Sequence, residues 1–314
     1  VWAARSPGPD CCAASTAPIR PIVIEMMQQK EITANGIRFA YLEQGEGPLV
    51  LLLHGYPDNA HSWEYQIPVL AGAGYRVVAP FLRGYPPSEV PEKAYYDRAT
   101  LAMDVKGLID ALNDGKPCYL VGQDWGAAIS YGVLGAFPKL IKRAVILAIP
   151  HPVAIRRALR KSPRHAIRAF HWFLYQLPVV PELVCRFNNY AFIELLWKLW
   201  SPAYNDKAHV ARIKQMLAQP GALKASLAYY RAMFNPRKFD PALRDVKIRL
   251  DRRTPVPTRV LCGTQDMRGG LLENQRDLFQ GPYEWKLVEG AGHFLHREKP
   301  DEVNRLILDW LGKQ

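Results

Sequence analysis

The chain has 314 residues, 49% of them hydrophobic, with 41 Lys and Arg against 29 Asp and Glu and a formal charge of +12 at pH 7. That length exceeds one minimal domain and suits a single large core carrying an inserted segment. The longest apolar runs, such as Pro117 to Val121 and Ala144 to Pro150, fall far short of the roughly 20 residues a membrane-spanning helix needs.

In chain order, residues 1–24 are rich in Ser, Pro, Ala and Cys. They lack both a helical period and the basic-then-apolar order of an export signal, so a disordered leader is expected. The five cysteines, Cys11, Cys12, Cys118, Cys185 and Cys262, form an odd set without metal-ligand spacing, and a reducing cytoplasm is the expected location. After residue 30, strand and helix signals alternate, which predicts an α/β fold with a mostly parallel sheet covered by helices on both faces. Eight strands are expected: Glu31 to Thr33, Ile37 to Glu43, Leu49 to Leu53, Arg76 to Ala79, Cys118 to Val121, Ala144 to Ala148, Arg259 to Leu261 and Trp285 to Val288. Helices are expected near His61 to Ala71, Arg98 to Leu112, Ala127 to Gly135, Leu271 to Phe279 and Asp301 to Trp310.

Between residues 151 and 239 the rhythm changes to consecutive aromatic-rich helical segments punctuated by proline. That predicts a helical cap inserted into a core made of residues 25–150 and 240–314. Arg156, Arg157, Arg160, Lys161, Arg164 and Arg168 concentrate positive charge at the start of this insertion. Such a cluster invites a nucleic-acid or anionic-membrane partner, but with no recognisable binding module a solvated helix face is the expected reading, with neither nucleic acid nor membrane as partner.

The chemistry concentrates at four places. The strand ending at Val121 runs into Gly122-Gln123-Asp124-Trp125-Gly126 and then a helix, the setting of a nucleophile elbow, where small residues must flank a strained central residue. An Asp at the centre can attack an sp³ carbon to give an alkyl ester. Taken alone, Asp124 could equally cap the helix that follows. His54-Gly55-Tyr56-Pro57 follows the third strand, where the backbone N–H groups of Tyr56 and Trp125 are candidate oxyanion-hole donors. Asp266 closes the seventh strand and His293 follows the eighth, so nucleophile, acid and base stand in the order this fold uses. Asp266 would orient His293, and His293 would activate a water. No metal or organic cofactor is implied.

With Arg83-Gly84-Tyr85-Pro86-Pro87-Ser88 added to these motifs, the sequence from about Glu31 to the C-terminus resembles the epoxide hydrolases of the α/β-hydrolase superfamily, the branch with an Asp nucleophile. The resemblance implies two cap tyrosines that hydrogen-bond the epoxide oxygen and protonate the leaving alkoxide. Tyr230, in Ala228-Tyr229-Tyr230-Arg231, matches one of them. His171 stands where the other is usual, as in a bacterial subgroup resembling epoxide-hydrolase virulence factors. A His can donate a hydrogen bond from either ring nitrogen and is expected to titrate near neutrality. Tyr175 is a fallback partner, read as lying in a different helical register from His171, and Trp172 and Tyr175 are candidate substrate-binding residues. Phe170, Trp172, Phe173, Phe192, Trp197 and Trp200 suggest an apolar or aryl substrate, or else simply pack the cap core.

The expected ligand is thus a small apolar epoxide, turned over by a monomer or homodimer. A haloalkane or haloacid dehalogenase using the same Asp, and a ligand-binding protein on a hydrolase scaffold, are the alternatives.

Overall fold

The computed structural model describes residues 27–161, 170–266 and 268–312. The leader at residues 1–24, with Cys11 and Cys12, lies outside them, as do Arg164 and Arg168. Eight strands form one sheet in the order β1-β2-β4-β3-β5-β6-β7-β8. They are β1 Gln28–Ala34, β2 Ile37–Gln44, β3 Leu49–Leu53, β4 Arg76–Pro80, β5 Cys118–Gln123, β6 Ile141–Leu147, β7 Thr258–Gly263 and β8 Tyr283–Val288. β2 runs antiparallel to both β1 and β4, and every other pairing is parallel. Leu-Val-Leu-Leu-Leu of β3 is buried throughout, as a strand covered on both faces must be, whereas β1 at the sheet edge is mostly exposed. The chain crosses from β3 outward to β4 and then returns to place β5 on the other side of β3. The carboxyl ends of β3 and β5 therefore meet where the strand order reverses, the position at which open α/β sheets build sites.

Helices α1 Ile67–Gly72, α2 Arg98–Asn113 and α3 Trp125–Ala136 connect the first six strands. α2 begins where the Asp97 carboxylate accepts from the N–H groups of Ala99 and Thr100. The helix expected over His61 to Ala71 is instead a 3-10 turn, Ala60–Trp63, followed by α1. Pro68 lies in the first turn of α1, where its missing N–H costs nothing, and it could not sit in the interior of one long helix. The helix expected over Leu271 to Phe279 is a 3-10 stretch, Gly269–Leu278.

Among the described residues no strand occurs between β6 and β7. That interval carries α4 Pro152–Lys161, α5 Phe170–Leu174, α6 Val180–Trp200, α7 Lys207–Ala218 and α8 Ala222–Phe234. α6 is two helical pieces, broken where Asn188, Asn189 and Tyr190 take positive φ. A buried polar cluster pins α7 to the core. His209 Nε2 lies 2.7 Å from Asp58 Oδ1, and Asp58 Oδ2 accepts from Ser62 Oγ at 2.5 Å. Arg297 donates to Asp206 at 2.8 Å and to Glu64 at 2.7 Å.

Of the basic cluster on α4, Arg156 pairs with Asp251 at 2.7 Å and Arg157 with Asp277 at 2.9 Å. Cys118, Cys185 and Cys262 are buried free thiols. No helix among the described residues is long and apolar enough to cross a membrane.

Candidate active site

At the end of β5 the chain turns sharply into α3, and Asp124 at the apex has φ 50° and ψ −114°. This is a strained conformation for a residue with a Cβ. It turns the carboxylate away from the helix, and Asp124 makes no side-chain cap hydrogen bond, so the capping alternative does not describe it. Gly122 and Gly126 permit the turn: a Cβ on Gly126 would overlap the carbonyl oxygen of Leu53, and one on Gly122 would overlap Gly126 O and Ser130 Oγ. Gly55 is required for the same reason, because a Cβ there would overlap that of Asp124.

The loop after β3 supplies a donor. The Tyr56 N–H donates to Asp124 Oδ1 at 2.9 Å. His54 holds this loop in place: its Nδ1–H donates to Gly55 O at 3.0 Å, and its Nε2 accepts from the Leu82 N–H at 3.0 Å. Burial pushes His54 down to about 4, so the ring stays neutral in this double role. Trp125 is the first residue of α3, where a helical N–H has no partner within its own helix. The Arg83–Ser88 motif is structural. Arg83 forms a fork with Asp104 at 2.7 and 2.6 Å, and Ser88 Oγ donates to Phe81 O at 2.6 Å.

Asp266 and His293 stand on the loops after β7 and β8. His293 Nδ1 lies 2.7 Å from Asp266 Oδ2, and its Nε2 lies 3.4 Å from Asp124 Oδ2. The short contact marks Nδ1 as the protonated nitrogen, leaving Nε2, buried and without a directed hydrogen bond, as the basic one. Burial alone would lower the pKa of His293, but Asp124 and Asp266 outweigh it and raise it. Burial would likewise raise Asp124. The His293 ring, the Tyr56 N–H and the Arg268 guanidinium overcome that and keep the carboxyl below its usual value. The cap braces the histidine loop, since the His293 N–H donates to Trp200 O at 2.8 Å and Trp197 stacks on Phe294 with ring centroids 3.6 Å apart.

A cavity of about 230 Å³ opens above Asp124. Trp125, Ile149, Ile155, Trp172 and Met233 line it together with Tyr230 and Arg268. Tyr229, the neighbour of Tyr230, donates its hydroxyl to Arg83 O at 2.7 Å. Tyr230 therefore faces the cavity while Tyr229 anchors α8 to the core. Gln176 fixes the separation of α5 and α8 by donating to both Trp172 O and Tyr230 O at 2.9 Å.

His171 and Tyr175 do not line the cavity. They pack against the Tyr230 ring with centroids 5.7 and 4.9 Å away, and against each other at 5.9 Å. The register expected to separate them is corrected: four residues apart in one helical turn, they share a face. Tyr175 spends its hydroxyl on Tyr56 OH at 2.9 Å. The expectation that His171 titrates near neutrality is also corrected. Burial, assisted by the Arg268 charge, pushes it down to about 3, so the ring is neutral, and its Nδ1 is buried without a partner. Trp200 lies between the two histidine rings, 5.0 Å from His171 and 5.2 Å from His293.

Arg268 escaped the sequence reading. Its one signal was a cationic residue two positions after the acid, in a loop otherwise read only for Asp266.

Residues 50–306 match the model of the Alpha/beta hydrolase family. The chain is 34% identical over 290 residues to AB hydrolase superfamily protein YfhM of Bacillus subtilis, covering 90% of this chain and 97% of that protein. It is 30% identical over 321 residues to Epoxide hydrolase 3 of Xenopus tropicalis, covering 99% and 82% respectively. Among solved structures, epoxide hydrolase VrEH1 from Vigna radiata superposes with a TM-score of 0.76 at 26% identity, over 93% of this chain and 100% of that one. Epoxide Hydrolase A from Mycobacterium thermoresistibile gives 0.76 at 25%, over 91% and 98%. With its sheet order, elbow and family match all in agreement, the chain belongs to the α/β-hydrolase family.

Proposed function

We propose that the protein hydrolyses epoxides to vicinal diols through an ester on Asp124, the activity named for its relatives in Xenopus, Vigna and Mycobacterium. One observation carries the reading. A single carboxylate that lines the cavity has one oxygen held by a backbone N–H, Tyr56 to Oδ1, while the other, Oδ2, lies 3.4 Å from Nε2 of His293.

In the first half-reaction Oδ2 attacks an epoxide carbon, the ring C–O bond breaks, and the alkoxide takes a proton from Tyr230. Tyr230 holds that proton until the oxygen demands it, because burial and the nearby Asp124 charge push its pKa well above 10. His171, neutral and with an unspent ring nitrogen, is the second polar group behind the oxygen. In the second half-reaction Nε2 of His293 removes a proton from water, the resulting hydroxide attacks Cγ of Asp124, and the oxyanion forms at Oδ1, where Tyr56 N–H already donates. Collapse breaks the ester bond, the departing diol oxygen takes the proton back from His293, and the proton left on the Asp124 carboxylic acid is lost as the Tyr230 phenolate regains one, which restores the resting site. Trp172, Ile155 and Met233 make the cavity suited to an apolar or aryl substituent.

The test pairs diol formation from styrene oxide with halide release from bromoalkanes. The reading requires diol from the native protein, its loss by about a thousandfold or more in Asp124→Ala, and no comparable halide release. Halide release without diol would assign the same Asp to dehalogenation, and diol formation unchanged in Asp124→Ala would refute covalent catalysis.

A further inference from the structure

A cation lies against the acid–base pair. Arg268 follows Asp266 by two residues, and its N–H donates to Asp266 Oδ1 at 2.8 Å. Its guanidinium lies over the same carboxylate, with Nη1 3.4 Å from each Asp266 oxygen and 3.1 Å from His293 Nδ1. Because Nδ1 already directs its proton to Asp266, the Arg268 approach is a charge placed beside the ring and not a second hydrogen bond. Only 8% of the Arg268 residue surface is exposed, and the guanidinium lies 5.9 Å over the Trp200 ring, so solvent screens it little. We propose that Arg268 is a positioning residue that acts through His293, keeping its ring unprotonated once Asp124 has become an ester, so that the second half-reaction has a free base.

The electrostatic argument rests on the proposed ester route. In the resting site two carboxylates, Asp124 and Asp266, face His293 and favour its protonated form. Alkylation of Asp124 cancels one of those charges, after which Asp266 and Arg268 are left opposing each other at the ring. The other titratable groups around His293 contribute less. His171 from α5 and His296 from the following turn are neutral, burial holding each at about 3. Glu298 is committed to Ser201 Oγ at 2.6 Å and the Gly292 N–H at 2.9 Å, and burial raises its pKa. Among the described residues Arg268 is thus the cation that sets the balance, and it favours the neutral ring that can take a proton from water. Without it, Asp266 alone would favour imidazolium, and ester hydrolysis would demand a higher pH.

The experiment is a single turnover of styrene oxide by the whole protein between pH 5 and 9. The Asp124 adduct is quantified by mass spectrometry after quenching, for native protein, Arg268→Met, Arg268→Gln and Arg268→Lys. Circular dichroism and thermal unfolding certify the fold of each variant, and decay is read on adduct already formed, so it does not depend on how fast a variant forms it. Adduct decay in Arg268→Met and Arg268→Gln is expected to lose its acidic-side rate at a pH about one unit higher than in the native protein, making it roughly tenfold slower below that limb. Arg268→Lys, which keeps the charge, is expected to restore the limb most of the way. Decay profiles of the two neutral variants that coincide with the native profile would overturn the inference, as would a Lys variant no better than Met. Native protein that turns over epoxide without any adduct would overturn the ester route itself, and with it this role for Arg268.

Discussion

At the scale of single residues, the proposed mechanism divides two tasks between side chains whose environments push them apart. Asp124 is kept ionised by a backbone donor and a neighbouring ring, while Tyr230 is kept protonated by burial beside that same carboxylate. The Asp124 anion, once held, itself opposes ionisation of Tyr230, so the two pKa values are pushed apart as for a paired nucleophile and acid. Tyr230 lines the cavity and His171 stands behind it, so the two are not expected to contribute equally. Tyr230→Phe is expected to slow adduct formation about a hundredfold, and His171→Phe about tenfold or less, with adduct decay changed little in either. Rapid-quench measurement of both phases checks this, and a larger loss in His171→Phe than in Tyr230→Phe would reverse the assignment. The positions of Asp124, Asp266 and His293 were legible in the sequence because each sits where a strand ends, and strand ends are marked by apolar runs meeting glycines. Arg268 was not legible, because its role depends on where its side chain meets Asp266 and His293, and no periodicity records that.

At the scale of elements, the cap is held by polar contacts that sequence periodicity does not reveal. Asp58 belongs to the loop after β3 and His209 to α7, 151 residues further along, and both are fully buried. Burial opposes ionisation of Asp58, but His209 first, then Arg297 and Ser62, keep its carboxyl below the usual range. Removing one partner from such a pair leaves a buried charge poorly compensated. His209→Ala is accordingly expected to destabilise the protein by about 3 kcal/mol. Because α7 shares the cap with α8, which carries Tyr230, the loss is expected to reach activity by raising KM more than it lowers kcat. Thermal unfolding and steady-state kinetics check it, and an unchanged Tm would show that the cluster does not hold the cap. β3 to β7 were readable from sequence to within a few residues at their ends because strands buried on both faces announce themselves as short apolar runs, and β1 and β2 because Asn35-Gly36 marks the turn between them. The connecting segments were less so. Pro68 divides the first of them, and the stretch after Arg268 closes into 3-10 geometry, a choice between two helical forms that side-chain period alone does not separate.

At the scale of the whole molecule, an eight-stranded sheet brings loops from four distant parts of the chain together at the carboxyl ends of its parallel strands, with the cap over them. Tyr56, Asp124, Asp266 and His293 span most of the sequence, yet meet within hydrogen-bonding reach because β3, β5, β7 and β8 all end on the same side. The cap contributes Tyr230 from above and braces His293 from the side through the Trp200 carbonyl. Cap and core therefore enclose Asp124 together, and the proposed function as a whole stands on covalent attack by this residue. The most direct test is a single turnover of styrene oxide with enzyme in excess in ¹⁸O-water, followed by mass analysis of the diol and of the peptide containing Asp124. The account predicts that the first diol carries unlabelled oxygen from the enzyme while ¹⁸O enters the Asp124 carboxylate. Label appearing in the first-formed diol, with Asp124 unlabelled, would contradict it.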